Sequence, residues 1–350
     1  MNGNDSGRAM TSNHTQRHAN VGVVSVEAVE APEVVTSAWI DEQLADVFAR
    51  CDVRPGLLEE IAGITERRWW PEETRFDEAA ALAGEQAIVA AGIDRAEIGM
   101  LISTSVCKHH LEPSVACAVH HHLDLTPGCL NFDLGNACLG FVNAIHLAAT
   151  AIDAGQIRYA LVVDGEGARH TQLTTIARLR EHARVTADVY DEFASLTLGS
   201  GAAAMVLGSL DVSPQAHRLV GGISRAATKY HQICVGDLER MTTDTKALLV
   251  AGVELAAEAW AEAAPEFGWQ QGISWYVLHQ ISSVHTRVLC ATLGLDESRA
   301  PLTFPTQGNI GPASIPFTLA GIQGQIAQGE RVLCMGMGSG LNASAAEIIW

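Results

Sequence analysis

Three residues of this 350-residue chain stand where side-chain chemistry is easiest to start. Cys138 follows Asp133-Leu134-Gly135-Asn136-Ala137 and opens an apolar stretch marked by Phe141, Ile145, Ala148 and Ile152. A thiol at a helix N-terminus meets unpaired amides and the positive end of the macrodipole, which favour thiolate, and the same amides can hold an oxyanion. On position alone Cys138 is equally a small buried residue, as most free cysteines are. His279 ends the run Trp275-Tyr276-Val277-Leu278 before the polar turn Gln280-Ile281-Ser282-Ser283. Its imidazole can project into a cleft as acid, base or oxyanion donor, or serve as a satisfied structural histidine. Asn309 lies in Gly308-Asn309-Ile310-Gly311-Pro312, a tight turn before a helix start, and by itself reads as a donor or as an ordinary turn asparagine. Together the three supply what a thiol nucleophile needs beside it, imidazole and amide donors.

These residues must be positioned by alternating elements. Gly99–Ser103, Tyr159–Asp164, Ala202–Leu207, Trp275–His279 and Arg331–Met335 have the pattern of buried strands. Between them, Phe76–Ala91 and Ala137–Ala154 read as helices closing at Gly92 and Gly155, and Asp244–Ala264 as a helix stopping before Pro265. The result is an α/β layering. A weak internal repeat adds to it. LGNACLGFVNAIHLAATAIDAGQIRYALVVDG and QGNIGPASIPFTLAGIQGQIAQGERVLCMGMG each run from a tight turn through a helix to a Gly-bounded strand, and LTLGSGAAAMVLG and GMGSGLNASAAEIIW each place Gly-Ser-Gly before a strand of small residues. Residues 1–20 are expected to be a flexible arm, followed by similar halves over 21–212 and 213–350.

Composition removes several classes. With 22 Lys plus Arg against 40 Asp plus Glu, the net charge is −18 and offers no footprint for nucleic acid. At 48% hydrophobic residues the chain has ample core material. No uncharged apolar run reaches the length of a bilayer span, since the longest candidate, Ser195–Leu210, is broken by glycines. The polar start MNGNDSGRAMTSNHTQRHAN lacks a signal-peptide core, so a cytoplasmic location is expected. The eight cysteines form no C-x-x-C pair, and reduced thiols follow. Cys107, His109, His110, Cys117, His120, His121 and His122 are a possible metal-ligand set, but their spacing matches no common finger, and no metal site is assigned. Glu166 and Asp164, at a strand end, read as structural.

The order Cys138, His279, Asn309, the duplicated halves and the terminal GMGSGLNASAAEIIW resemble the thiolase-fold condensing enzymes of the ketoacyl synthase III type, over about 330 residues, everything past the arm. Within them the chain resembles the OleA-type enzymes that join two fatty acyl-CoA molecules head to head. The matching stretches include Leu111-Glu112-Pro113-Ser114, Asn136-Ala137-Cys138-Leu139, Ala160-Leu161-Val162-Val163-Asp164-Gly165-Glu166, His279-Gln280 and Gly308-Asn309-Ile310-Gly311-Pro312-Ala313-Ser314. The decarboxylating synthases carry phenylalanine where Glu112 stands, an asparagine where Ser282 stands and an arginine where Ile61 stands.

The resemblance implies a thiolase fold: two pseudo-symmetric βαβαβαββ halves in five layers, α-β-α-β-α. It implies a non-decarboxylative Claisen condensation of two long-chain acyl-CoA molecules to a 2-alkyl-3-ketoacid, the first step towards an olefin or a β-lactone. Cys138 would be the nucleophile, His279 and Asn309 the polarising pair, the backbone amides of Cys138 and Ser339 the oxyanion holders, and Glu112 the base, supplied across a homodimer. Without the resemblance, Glu112 before Pro113 is an acid near a helix start. Arg67 and Arg68, beside Trp69 and Trp70, are candidates for the CoA phosphates and adenine, or for a surface edge. No cofactor is required. Downstream partners would be a hydrolase-fold, a ligase-like and a reductase enzyme. The competing readings are a synthase III-like enzyme using malonyl carrier protein and a non-catalytic acyl-binding subunit.

Overall fold

The computed structural model of the chain describes residues 15–237 and 240–350. Ten strands, numbered β1 to β10, are joined by hydrogen bonds, nine of them in one continuous path. They are β1 Thr15–Arg17, β2 Val21–Glu30, β3 Ile98–Ser103, β4 Leu130–Asp133, β5 Tyr159–Glu166, β6 Gly201–Ser209, β7 His217–Ala226, β8 Trp275–Leu278, β9 Arg331–Gly338 and β10 Asn342–Ile349. The order is β8-β9-β10-β7-β2-β6-β5-β3-β4, with β1 on β7. The path is two sheets joined at a narrow seam, for β2 meets β7 only at Gly22 with Arg218 and Val23 with His217.

Six helices cover these sheets: α1 Phe76–Ala91, α2 Val115–His122, α3 Gly140–Asp153, α4 Thr245–Phe267, α5 Ser283–Leu293 and α6 Ser314–Ile322. The first half reads β2-α1-β3-α2-β4-α3-β5-β6, the expected βαβαβαββ. The second repeats it as β7-α4-β8-α5-α6-β9-β10, with no counterpart of β4 among the described residues. α3 and α6 carry apolar residues on nearly every side (Phe141, Val142, Ile145 and Ala148; Ile315, Leu319 and Ile322), because they lie between the two sheets and pack on both. α1 and α2 cover the outer face of the first half and α4 and α5 that of the second, which completes five layers.

Three local expectations are revised. Residues 1–14 of the expected arm lie outside the described residues, but Thr15–Arg17 is a strand paired antiparallel with Gly221–Ile223. The N-terminal segment thus crosses from the second half into the first. α3 starts at Gly140, which leaves Cys138 before the helix and not in its first turn. α4 continues through Pro265 to Phe267 and closes at Gly268, in the left-handed region. A proline there removes only the amide that would reach Ala261, whose surroundings are open to solvent.

Candidate active site

The Cys138 turn is built from the sheet edge outward. Leu134 N–H donates to Ser103 O at 2.9 Å, Leu139 N–H to Asn136 O at 3.0 Å and Gly140 N–H to Ala137 O at 3.1 Å. Ala137 adopts a left-handed φ of 44°, a strained conformation for a residue with a Cβ. Asn136 Nδ2 donates to Asn143 Oδ1 at 2.6 Å, and Asn342 Nδ2 donates to Asn136 Oδ1 at 3.2 Å, so residues from both halves hold the turn. β9 packs against it at glycines: a Cβ at Gly338 would stand 3.0 Å from Asn136 O, and one at Gly336 3.0 Å from Leu139 Cδ2. Ser339 follows in the β9–β10 hairpin, with Oγ 3.7 Å from Cys234 Sγ.

The thiol itself corrects an expectation. Burial, then the Glu166 carboxyl, Cys234 and Asp164, carry Cys138 up to about 12, so it rests as the protonated thiol. The open amides at the start of α3 act on the anion once it forms. The two carboxyls are themselves buried. Glu166 rises to about 7 through burial, although it accepts from Val106 N–H at 2.6 Å and Cys107 N–H at 3.3 Å. Asp164 lies far above the usual carboxylate range for the same cause, with Glu166 next to it, and its carboxyl pairs with the Thr104 hydroxyl.

His279 follows β8, and its N–H donates to Met335 O at 2.9 Å, continuing the strand ladder. Its Nε2 lies 3.2 Å from Asn309 Oδ1. Burial lowers the imidazole to about 4, so it is neutral at physiological pH. The Asn309 turn is fixed by the first half: Gly199 N–H donates to Asn309 O at 2.9 Å and Asn309 N–H donates to Thr197 O at 2.9 Å. This contact needs glycine, since a Cβ at Gly199 would stand 1.7 Å from Gln307 O. Gly311 N–H donates to Asn309 Oδ1 at 3.0 Å, which sets the amide orientation and leaves Nδ2 as the open donor. With Oδ1 toward the ring, His279 Nε2 carries the proton and donates to Asn309, so a carbonyl oxygen meets the Asn309 NH₂ group and the Nε2–H that it would share with Asn309 Oδ1.

Glu112 makes no hydrogen bond or ion pair with these residues within one chain. It stands on an exposed loop beside Leu111, which is 91% exposed. Arg67 is not available to CoA phosphates, because it is wholly buried. It donates to Val35 O, Ser37 Oγ and Leu196 O at 3.1–3.3 Å, tying the strand pair Glu33–Thr36 and Glu66–Trp69 to the residues before β6. Burial lowers its guanidinium to about 10 and leaves it charged. Replacing Arg67 with leucine is expected to lower stability by about 2–4 kcal/mol, read as a shift in the urea midpoint, because three acceptors lose their donors. Arg68 is partly exposed but paired with Glu30 at 3.0 Å and Glu66 at 3.2 Å.

The histidine-rich segment is divided among separate contacts. His109 stacks on Phe76, His120 Nε2 lies 3.1 Å from Thr126 O, and His122 pairs with Asp77 at 3.1 Å. Among the described residues no group of three or more His, Cys, Asp or Glu side chains is placed to hold a metal ion. An apolar recess of ≈ 40 Å³, lined by His279, Trp260, Trp269, Leu289, Met335 and Met337 among others, was missed in the sequence. Its walls come mainly from α4, α5, β7, β9 and β10, and no spacing within any one segment marks them.

Residues 132–172 match the family model described as 3-oxoacyl-[acyl-carrier-protein (ACP)] synthase III, and residues 269–350 that of its C-terminal part. An acyl-CoA:acyl-CoA alkyltransferase from Xanthomonas campestris is 38% identical over 334 residues, covering 95% of this chain and 99% of that relative. One from Shewanella oneidensis is 32% identical over 349 residues, covering 95% and 100%. The crystal structure of a cysteine-to-serine variant of Xanthomonas campestris OleA with bound lauric acid and lauroyl-CoA matches with a TM-score of 0.93 at 38% identity, covering 95% of this chain and 100% of that one.

Proposed function

This chain belongs to the acyl-CoA:acyl-CoA alkyltransferase family, the OleA enzymes of the thiolase superfamily, and is an acyltransferase; we propose that Cys138, His279, Asn309 and Glu112 carry its head-to-head condensation of two acyl-CoA molecules. The observation that carries the assignment is the His279–Asn309 pair, 3.2 Å apart, with Gly311 N–H turning the amide so that its NH₂ group stays free.

In the first half-reaction the Cys138 thiol loses its proton to the ring nitrogen of neutral His279 that carries no hydrogen, as Sγ attacks the thioester carbonyl, which leaves the N–H facing Asn309 in place for the second half-reaction. The backbone amides of Cys138 and Ser339 hold the oxyanion. The carbon–sulfur bond to CoA breaks, His279 returns the proton to the departing sulfur, and the acyl-enzyme remains. A thiol resting near 12 makes this coupling necessary, because a free thiolate is scarce at neutral pH.

In the second half-reaction another acyl-CoA places its carbonyl oxygen on His279 and Asn309, which draw charge towards it. Glu112 from a second copy of the chain removes the α-proton, and the resulting enolate carbon attacks the acyl-Cys138 carbonyl, forming the new carbon–carbon bond and releasing Sγ as a thiolate, which regains a proton from solvent while Glu112 gives up the one it took. Water then cleaves the remaining CoA thioester to give a 2-alkyl-3-ketoacid. Every proton and electron pair is accounted for by the thioesters, water and these side chains, so the chemistry calls for no metal or redox cofactor. The recess of ≈ 40 Å³ beside His279 is too small for a whole alkyl chain, but its apolar lining suits the carbons next to the thioester, and Met337 on its wall is unbranched and adaptable. A 2-alkyl-3-ketoacid loses carbon dioxide readily, so the product suits direct transfer to hydrolase-fold, ligase-like and reductase enzymes in the cytoplasm.

Purified protein given myristoyl-CoA alone is expected to release CoA and yield the long symmetrical ketone left when the ketoacid decarboxylates. CoA release only after addition of a malonyl carrier protein would instead indicate the decarboxylating synthase. Asn309→Ala, which removes one of the two donors, is expected to slow ketone formation by about 10²-fold, followed by gas chromatography.

A further inference from the structure

The tip that carries Glu112 belongs to a loop whose two ends converge on one carboxylate. β4 ends at Asp133, in parallel register with Ser103 at the end of β3, so Asp133 emerges at the sheet edge from which that loop departs. Its Oδ2 accepts from Lys108 Nζ at 2.7 Å and from Val115 N–H at 3.1 Å, and its Oδ1 accepts from Ala116 N–H at 2.9 Å. The same carboxylate therefore grips the loop before Glu112 and after it. Asp133 and Lys108 are both largely shielded, with side chains 13% and 31% exposed.

Further contacts stiffen the ascending side. Glu166 holds the Val106 and Cys107 amides, and the His109 ring lies on Phe76 with centroids 4.3 Å apart and planes 9° from parallel. Beyond them His110, Leu111, Glu112 and Pro113 are all exposed, and Glu112 has no hydrogen-bond or ion-pair partner among the described residues. A base delivered on a loose tip must lose conformational freedom in the step it catalyses, and a misplacement of about 1 Å can cost about 10²-fold in rate. Closing the loop beforehand removes that loss from the reaction.

We propose that Asp133, through Lys108 and the Val115 and Ala116 amides, is a positioning residue that sets where Glu112 stands when the loop enters the site of a second copy. The inference rests on the reading of Glu112 as the base. Asp133 also caps α2, so Lys108 is the more discriminating probe, because its ammonium contacts only Asp133 among the described residues.

The experiment compares wild type, Lys108→Met, Lys108→Arg, Asp133→Asn and Glu112→Ala in two assays with myristoyl-CoA: the rate at which the acyl adduct forms on the protein, by rapid quench and intact mass, and the rate of ketone formation. Lys108→Met and Asp133→Asn are expected to acylate at the wild-type rate and to condense about tenfold to hundredfold more slowly, with Lys108→Arg restoring most of the rate. Unchanged condensation in Lys108→Met, or parallel loss of acylation and condensation in both variants, overturns the proposal. If Glu112→Ala loses condensation while Lys108→Met does not, the positioning role alone fails. If Glu112→Ala condenses like wild type, the base assignment fails and takes the positioning role with it.

Discussion

Cys138→Ala is expected to abolish both half-reactions: no acyl adduct in the intact mass spectrum, and CoA release from myristoyl-CoA reduced by at least about 10⁴-fold. The size of the effect follows from its place in the scheme. Without Sγ there is no acyl-enzyme for the enolate to attack, and the polarising pair and oxyanion amides act on a carbonyl with no nucleophile beside it. The fold should tolerate the change, because the turn is held by backbone bonds and by Asn136, Asn143 and Asn342, none of which uses the thiol. Wild-type acylation should also persist at pH 5, where an ordinary imidazole is protonated, since burial keeps His279 neutral down to about 4. Loss of acylation with a midpoint near 6.5 would mean that burial does not hold the proton-accepting imidazole neutral.

Glu112→Ala is expected to separate the two halves. Its acyl adduct should form normally and then accumulate, while ketone formation falls by about 10²–10⁴-fold, the usual worth of a positioned general base. Because Glu112 is exposed and makes no hydrogen bond or ion pair among the described residues, coexpression of Cys138→Ala with Glu112→Ala chains provides a second reading. In a mixed dimer, one of the two sites combines an intact Cys138 with an intact Glu112 from the other chain, and random pairing makes about half of the dimers mixed, so roughly a quarter of wild-type condensation should return. No recovery in verified mixed dimers would place the base within the chain that carries the thiol.

How far these roles could be read without coordinates depends on the range of the interactions. The Cys138 turn, the end of β8 at His279 and the glycine-bounded Asn309 turn are local features, written in consecutive residues, and the structure places them as adjoining turns. The βαβ order is similarly local, since strand and helix periods show within each segment. Where elements end was less legible: α3 begins after Cys138 because the turn bonds from Leu139 and Gly140 take precedence, and α4 runs past Pro265 because its outer face can spare one bond.

Long-range pairing was invisible for a different reason. Arg67 had the composition of a phosphate ligand but lies buried because its acceptors, Val35, Ser37 and Leu196, converge from distant parts of the chain. Thr15–Arg17 had the composition of an arm but pairs with a strand some two hundred residues away. Asp133 looked like an ordinary residue before a turn, and only the register of β4 beside β3 brings it to both ends of the Glu112 loop. The sequence by itself determined which groups exist to do chemistry and which turns carry them, because residue type and local backbone preference act over a few residues. Tertiary structure alone decided the protonation of Cys138 and His279, the burial of Arg67 and the setting of Glu112, because desolvation and convergent hydrogen bonds depend on which remote segments the fold brings together.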